Sequence, residues 1–483
     1  MIATTQLGFW NPRSYQKDGV KNMLRLACFG LLYKPGLGKT SVVYMAFRIL
    51  QEKGYVDKLL VICPIRPMYN VWPEQCNKYA EFQHLRVGIM HGPGKAEVLA
   101  SDDYDIYVIN PAGLQWLLGV TMEKYVTASG KEKKRPVVDK KRLSFVKKKF
   151  PMLVIDESSE FRNSDTARFK ILKELLPAFK RRYIMTGTPM PKSLMDWFGQ
   201  IFILDQGDAL GRFITHYRTK YFYPDPYVQY GWLPQPGAFE RICKVIANQV
   251  QVVEAKGNIE LPEIIFNDIW ITLPDDARVR YQAMQRDLVA LVDSGSVIAA
   301  NAAVASSKCR QIANGAIYHS EEKGEYTPLH DEKIQALQEL VNELQGDPLL
   351  VTYEFAFDRD AIANALKTPC ISTGNARHDN THIKKFSLGE LPTVMGHPAS
   401  ISLGIDGLQD NCCNIAMLGV TWNLLHYEQV IDRVRRSGSR SKHVTVHRIL
   451  AKGTVDERVI EVLDAREKAQ VDFMGMLKRL GNS

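Results

Sequence analysis

The chain has 483 residues, enough for two or three domains, and its 45% apolar and 24% charged content is ordinary for a soluble globular protein. No apolar run approaches the ~18 residues of a membrane span, and the opening MIATTQLGFWNPR lacks a basic-then-apolar signal pattern. Eight cysteines are scattered without metal-ligand spacing, which speaks against a disulfide framework and for free thiols in a reducing cytosol, and the net charge is +9.

In chain order, LACFGLLY (26–33) is a short apolar run that predicts a buried strand, and Val43, Phe47 and Leu50 recur at helical spacing soon after. Between them lies KPGLGKT (34–40). Gly36 and Gly38 let backbone N–H groups turn toward an anion, and the following helix offers its positive end to the same place. Lys39 is the residue to reach terminal phosphates, and the Thr40 hydroxyl the one to hold Mg. The general phosphate-loop pattern asks for a further glycine where Tyr33 stands, so a glycine turn capping an ordinary helix is the competing reading of this segment alone.

KLLVIC (58–63) and DIYVIN (105–110) predict further strands. KEKKRPVVDKKRLSFVKKKF (131–150) then holds ten Lys and Arg against two acids, net +8, nearly the whole excess of the chain. Such a run reads either as a solvated face or loose loop, or as a contact for a phosphate backbone. It runs into FPMLVIDESSEFRN, where an apolar strand ends on Asp156 and Glu157. Two acids at the end of a buried strand suit Mg-assisted nucleotide hydrolysis, Asp156 holding the cation through water and Glu157 acting as general base. RRYIMTGTP (181–189) closes this first alternating set, which argues for a parallel sheet covered by helices on both faces.

Residues 205–262 change character, with aromatics, Pro and Gly mixed, and predict an irregular or helical protrusion. A largely helical stretch follows to about 317. A second alternating set comprises PLLVTYEF (348–355), CISTG (370–374), TVMGH (393–397), NIAMLGV (414–420) and VTVHRIL (444–450). Within it, Gln429, Arg433 and Arg436 fall at spacings of four and three, which predicts one helical face. Two arginines there suit either a finger for developing phosphate charge or a solvent-facing basic helix.

Taken together, these motifs resemble the Snf/Swi-type DNA-dependent ATPases of helicase superfamily two, and the likeness runs from about residue 10 to 463. KPGLGKT is similar to the family's first motif, which also lacks the early glycine. The resemblance implies an ATP site built from Pro35, Gly36, Leu37, Gly38, Lys39 and Thr40, with Gln16 of NPRSYQKDGV reading the adenine edge. It also implies nucleic-acid contact through Arg66 in LLVICPIRPMYNVW, Asn110 in INPAGL, and Arg162 and Asn163 after DESSE. Lys147, Lys148 and Lys149 of the basic run are expected to join them. Thr186 and Thr188 of MTGTP would couple hydrolysis to movement, together with Ser159, which stands where the family usually has His. SLGIDGLQ brings Gly404 and Asp406 to the nucleotide, Asp406 replacing the common Asn, and the arginine motif brings Gln429, Arg433 and Arg436. GTVDERV (453–459) is a further family hallmark.

The implied fold is α/β, two tandem RecA-like lobes, each a mostly parallel sheet flanked by helices. The expected bounds are 1–270 for the ATP-binding lobe, including the basic insertion 131–149 and the protrusion 205–262, then a helical connector over 271–330 and the arginine lobe with a brace helix over 331–483. The expected function is an ATP- and Mg-dependent motor that tracks double-stranded DNA without sequence preference, off the membrane, in a bacterial or phage-infected cytosol. A strand-separating DNA or RNA helicase and a nucleotide-gated clamp with negligible turnover are the alternatives.

Overall fold

A computed structural model of the chain describes residues 8–126, 132–190, 192–226, 231–255, 257–293, 299–319, 324–402, 405, 407–436, 438–439 and 441–481. The chain divides into two compact units, residues 1–258 with 469–483, and residues 259–468.

In the first unit the strands are β1 (Cys28–Tyr33), β2 (Leu59–Ile62), β3 (Val87–Ile89), β4 (Ile106–Ile109), β5 (Thr121–Val126), β6 (Glu132–Val137), β7 (Met152–Asp156), β8 (Arg181–Met185), β9 (Phe222–Pro224), β10 (Trp232–Pro234) and β11 (Val250–Val253). Seven of them form one sheet in the order β11-β1-β8-β7-β2-β4-β3, and every pairing is parallel. β2 and β4 are buried at every position, as near-continuous apolar runs must be when helices cover both faces. β5 with β6 and β9 with β10 form separate antiparallel hairpins.

The expected protrusion over 205–262 is more ordered than its composition suggests. It holds the helices Ile214–Tyr221 and Ala238–Ile246, and its last strand, β11, joins the main sheet beside β1. Tyr221 is buried and Tyr223 exposed. The basic insertion is ordered as well: after β6, Asp139 accepts from the N–H groups of Lys141 and Arg142 and starts a helix over Lys140–Lys149.

The second unit adds β12 (Glu263–Ile271), β13 (Ala316–Tyr318), β14 (Tyr326–Pro328), β15 (Leu349–Tyr353), β16 (Thr393–Gly396), β17 (Asn414–Leu418) and β18 (His443–Ala451). Its five-stranded sheet runs β12-β18-β17-β15-β16, again wholly parallel. Alternate residues feed two cores, Leu350 and Ile415 on one face and Leu349, Val351 and Ala416 on the other, as the two-residue period of a strand requires. The first core is closed by helix residues such as Phe386 and Tyr427, the second by Tyr281, Ile312 and Leu337. Because β12 belongs to this sheet, the second unit begins near 259; the sequence reading kept residues up to 270 in the first lobe, made 271–330 a connector and began the second lobe at 331. CISTG forms no strand; Cys370 makes a single isolated bridge to Met395.

One buried polar network ties the second unit's helices. Lys333, fully buried, donates to Asp456 Oδ2 at 2.7 Å and to Asn314 Oδ1 at 2.8 Å, and Asn314 Nδ2 donates to Asp358 Oδ2 at 3.0 Å. Asp456, the acid of GTVDERV, therefore serves the core of this unit, where its partner offsets the cost of burying a charge.

Candidate nucleotide site

Three adjacent strands of the first sheet, β1, β8 and β7, deliver the candidate residues at their C-terminal ends, where open parallel sheets commonly bind ligands. β1 ends at Tyr33 and the glycine loop follows. Gly36 and Gly38 adopt φ of 81° and 74°, a left-handed backbone that an L side chain resists. A Cβ on Gly38 would also lie 2.4 Å from Gln16 Nε2. The loop thus presents backbone close to whatever occupies its concave side, and the helix Lys39–Glu52 starts directly from it.

The loop is braced from behind. Gln16 Nε2 donates to the Leu37 carbonyl at 3.1 Å, and Gln16 Oε1 accepts from the Arg13 N–H at 2.9 Å. Sequence predicted that Gln16 would read the adenine edge; its amide is instead turned to backbone, and it is buried. Leu37 likewise points into the core, so only its backbone belongs to the site. Tyr33, standing where the general pattern has glycine, is buried and donates to the Tyr15 carbonyl and to Gln251 Oε1 at 3.2 and 2.7 Å. Pro35 flanks Gly187, on which a Cβ would lie 2.9 Å from the Pro35 ring, so the TGT turn packs directly against the phosphate loop. Lys39 donates to the Tyr33 carbonyl at 2.7 Å.

β7 pairs with β8 so that Asp156 lies opposite Met185, placing Glu157 beside Thr186. Glu157 has φ 62° and ψ 60°, a left-handed conformation uncommon for any residue but glycine, and functional sites are where such strain concentrates. Its Oε1 accepts from Thr186 Oγ1 and from Ser159 Oγ, both at 2.7 Å. Burial pushes the Glu157 carboxyl above the ordinary range; the Ser159 and Thr186 bonds and nearby Lys39 pull it down, and Asp156 pushes it up. Thr186 Oγ1 also accepts the Thr188 N–H at 3.1 Å, so the TGT turn is locked to the acid. Asp156 Oδ2 accepts from Trp72 Nε1 at 3.2 Å, a contact that sequence reading did not anticipate.

These residues fit a nucleotide and its cation. The left-handed glycines, Lys39 and Thr40 have the chemistry to hold phosphate, and the Thr40 hydroxyl and Asp156 carboxylate are oxygen donors of the kind Mg prefers. Among the described residues no group of three or more His, Cys, Asp or Glu could hold a metal alone; a cation held by Thr40 and Asp156 would need phosphate oxygens and water to complete its shell.

The residues expected at nucleic acid are placed unequally. Arg66 is partly buried on the helix Ile65–Asn70. Asn110 Oδ1 accepts the Gly113 N–H at 3.1 Å, bracing the turn that leads into the short helix Gly113–Leu117. Asn163 is exposed and its Oδ1 accepts the Asp165 N–H at 2.9 Å. Arg162 departs from its expected role: Nη1 donates to the Ser159 carbonyl at 3.0 Å and its guanidinium lies 3.7 Å from buried Asp196. It pins the turn that carries Ser159. Lys149 also departs, since its ammonium is held by Asp102 at 2.7 Å and the Ser101 carbonyl at 2.8 Å and lies over the Tyr107 ring. Lys147 and Lys148 are exposed.

In the second unit, the helix Leu424–Val434 starts at Asn423, whose side chain accepts the Leu425 N–H. Gln429 and Arg433 share a face of it, and Arg433 Nη2 donates to the Ser402 carbonyl at 2.6 Å. Arg436 does not lie on that helix as its spacing predicted. The helix ends at Val434, Arg435 leaves helical geometry at ψ 84°, and Arg436 Nε reaches back to the Asp432 carbonyl at 3.4 Å. Gly404 and Asp406 lie outside the described residues.

Residues 15–216 match the model of the SNF2-related domain. Protein p41 of Acyrthosiphon pisum secondary endosymbiont phage 1 is 27% identical over 97% of this chain and 99% of its own length. An uncharacterized ATP-dependent helicase of Mycoplasma genitalium is 25% identical over 98% of the chain, which spans only 43% of that protein. Among solved structures, the Sulfolobus solfataricus SWI2/SNF2 ATPase core in complex with dsDNA is 22% identical, with a TM-score of 0.42 over 96% of this chain and 93% of that one.

Proposed function

We propose that this chain, an SNF2-type ATPase of helicase superfamily two, converts ATP hydrolysis into movement along double-stranded DNA, gripping the phosphate backbone without reading sequence. The observation that carries this reading is the bonded set Glu157, Thr186 and Thr188 beside the glycine loop, which ties the hydrolytic acid to the turn expected to sense it. When bound, Mg supplies charge neutralisation at the phosphates. The chain's own work is divided. The loop backbone and Lys39 hold and orient the triphosphate; Thr40 and Asp156 hold the cation. Glu157, its proton affinity raised by burial, takes the proton of the attacking water. Arg433 and Arg436 are proposed to stabilise the charge that develops on the transferred phosphoryl group as the units alternately close and open.

ATP hydrolysis measured alone, with duplex DNA, with single-stranded DNA and with RNA tests the proposal. Stimulation by duplex DNA is expected. Stimulation by single strands alone would favour a strand-separating enzyme, and no turnover under all four conditions would favour a gated clamp.

A further inference from the structure

The basic insertion is more than a charge excess once its fold is known. The helix Lys140–Lys149 is amphipathic. Val146 is buried, Leu143 packs against the first unit's core, and Phe150 beyond the helix end is buried with them. The mount is rigid: the Asp139 N–H donates to the Leu118 carbonyl, Arg142 Nη1 to the Trp116 carbonyl, and Lys149 is anchored at Asp102 and Ser101. Three of the insertion's features, Arg142, Lys149 and the capping Asp139, are therefore occupied in holding the helix.

What remains points outward. Lys140, Lys141, Lys147 and Lys148 are exposed and fall at helical positions i, i+1, i+7 and i+8, one stripe on the side opposite Val146. None of the four makes an ion pair among the described residues. Two of them occupy the first turn, which holds no acid and where the helix dipole disfavours positive charge. Lys147 and Lys148 lie in the last turn, which the dipole favours, so it is the first-turn pair, Lys140 and Lys141, whose charge an anionic partner relieves. The neighbouring hairpin differs: Arg135 pairs with Glu123 at 3.2 Å and Lys124 with Glu132 at 3.6 Å, so much of its charge is matched internally.

We infer that the Lys140–Lys148 stripe is a rail for the sugar-phosphate backbone of duplex DNA, a grip separate from the nucleotide site; this rests on the reading of the chain as a DNA motor. From Lys140 to Lys148 the helix rises about 12 Å, roughly the axial rise of three to four nucleotides of one strand. Exposed aromatics suited to stacking unpaired bases are scarce beside it. The ring of Phe145 has the Lys149 ammonium at 5.9 Å and that of Tyr125 has the Arg135 guanidinium at 5.9 Å, so each already has a cation at hand. A basic stripe whose exposed rings, Phe145 and Tyr125, each have a cation beside them suits a paired backbone.

The test is the salt dependence of duplex binding by the full chain and by a variant with Lys140→Gln, Lys141→Gln, Lys147→Gln and Lys148→Gln, with a fourfold Lys→Arg variant as control. Four lost phosphate contacts should flatten the slope of log K against log salt by about 3.6, so that wild type loses roughly 100-fold more affinity than the Gln variant between 50 and 200 mM salt. The Arg variant should keep the wild-type slope, and ATP turnover without DNA should be unchanged in both. A Gln-variant slope equal to wild type overturns the rail while leaving the motor reading intact. Loss of single-strand but not duplex binding, or of polyglutamate binding alone, also overturns it, reassigning the stripe to single strands or to an acidic protein. Failure of the wild-type chain to bind DNA at all removes both readings.

Discussion

Thr186 donates its hydroxyl to Glu157 Oε1 at 2.7 Å, and the same hydroxyl accepts the Thr188 N–H, so any change in the acid's charge is felt by the TGT turn. A bond to a charged carboxylate is worth about 1.5–3 kcal/mol, which makes Thr186→Val, nearly the same shape, an informative change. Turnover should fall roughly 10- to 100-fold. The pH dependence should move in a fixed direction: donors favour the ionised acid, and removing one raises its pKa further. A general base must be ionised, so the acid limb of the rate profile should shift to higher pH. Ser159→Ala should shift it the same way. A rate profile unmoved in both variants would mean that Glu157 is not the base.

Arg433 and Arg436 separate two contributions. Arg433 is bonded to the Ser402 carbonyl, whereas Arg436 lies past the helix end. Arg436→Ala should lower turnover by roughly 10³-fold or more while leaving ATP binding within a few fold, as expected of a group that meets charge only in the transition state. Arg433→Ala should also lower turnover and in addition weaken ATP binding. Single-turnover hydrolysis and nucleotide titration distinguish these outcomes, and unchanged turnover in Arg436→Ala would end its proposed role.

Much of this was legible from residues alone. Near-continuous apolar runs announced β1, β2, β4 and β7 because strands buried on both faces carry no polar alternation. β12 was not announced: as an edge strand with Ile265, Phe266 and Trp270 exposed, it has neither a buried run nor a clean alternation. Arg436 was misplaced because periodicity assumes that a helix continues, and nothing in RVRRSG marks its end at Val434. Arg162 and Lys149 were misread because charge in sequence does not reveal a buried acid or a carbonyl waiting across the fold. The Trp72 bond to Asp156 joins residues 84 positions apart and had no local signal.

Asp358 links stability to pH in the second unit. Burial pushes its carboxyl up to about 7, against the backbone bonds from Phe355 and Glu354 and the influence of Asn314 and Lys333, and its buried Oδ1 has no hydrogen-bond partner among the described residues. The folded value exceeds the unfolded one near 3.8, so the folded state holds a proton that the unfolded chain releases. Stability should be full below about pH 4 for this group and fall by about 1.4 kcal/mol per pH unit until about pH 7. Asp358→Asn, which imitates the protonated acid, should raise the thermal midpoint relative to wild type at pH 8, with the gap closing toward pH 5. A gap independent of pH would contradict the assignment.

The most direct test of the motor is displacement of a third strand from a duplex carrying a triplex segment downstream of a free end. The account predicts ATP-dependent release of the third strand with both duplex strands still paired, and no release by Glu157→Gln despite retained ATP binding. Strand separation without triplex displacement, or displacement that persists in Glu157→Gln, would contradict it.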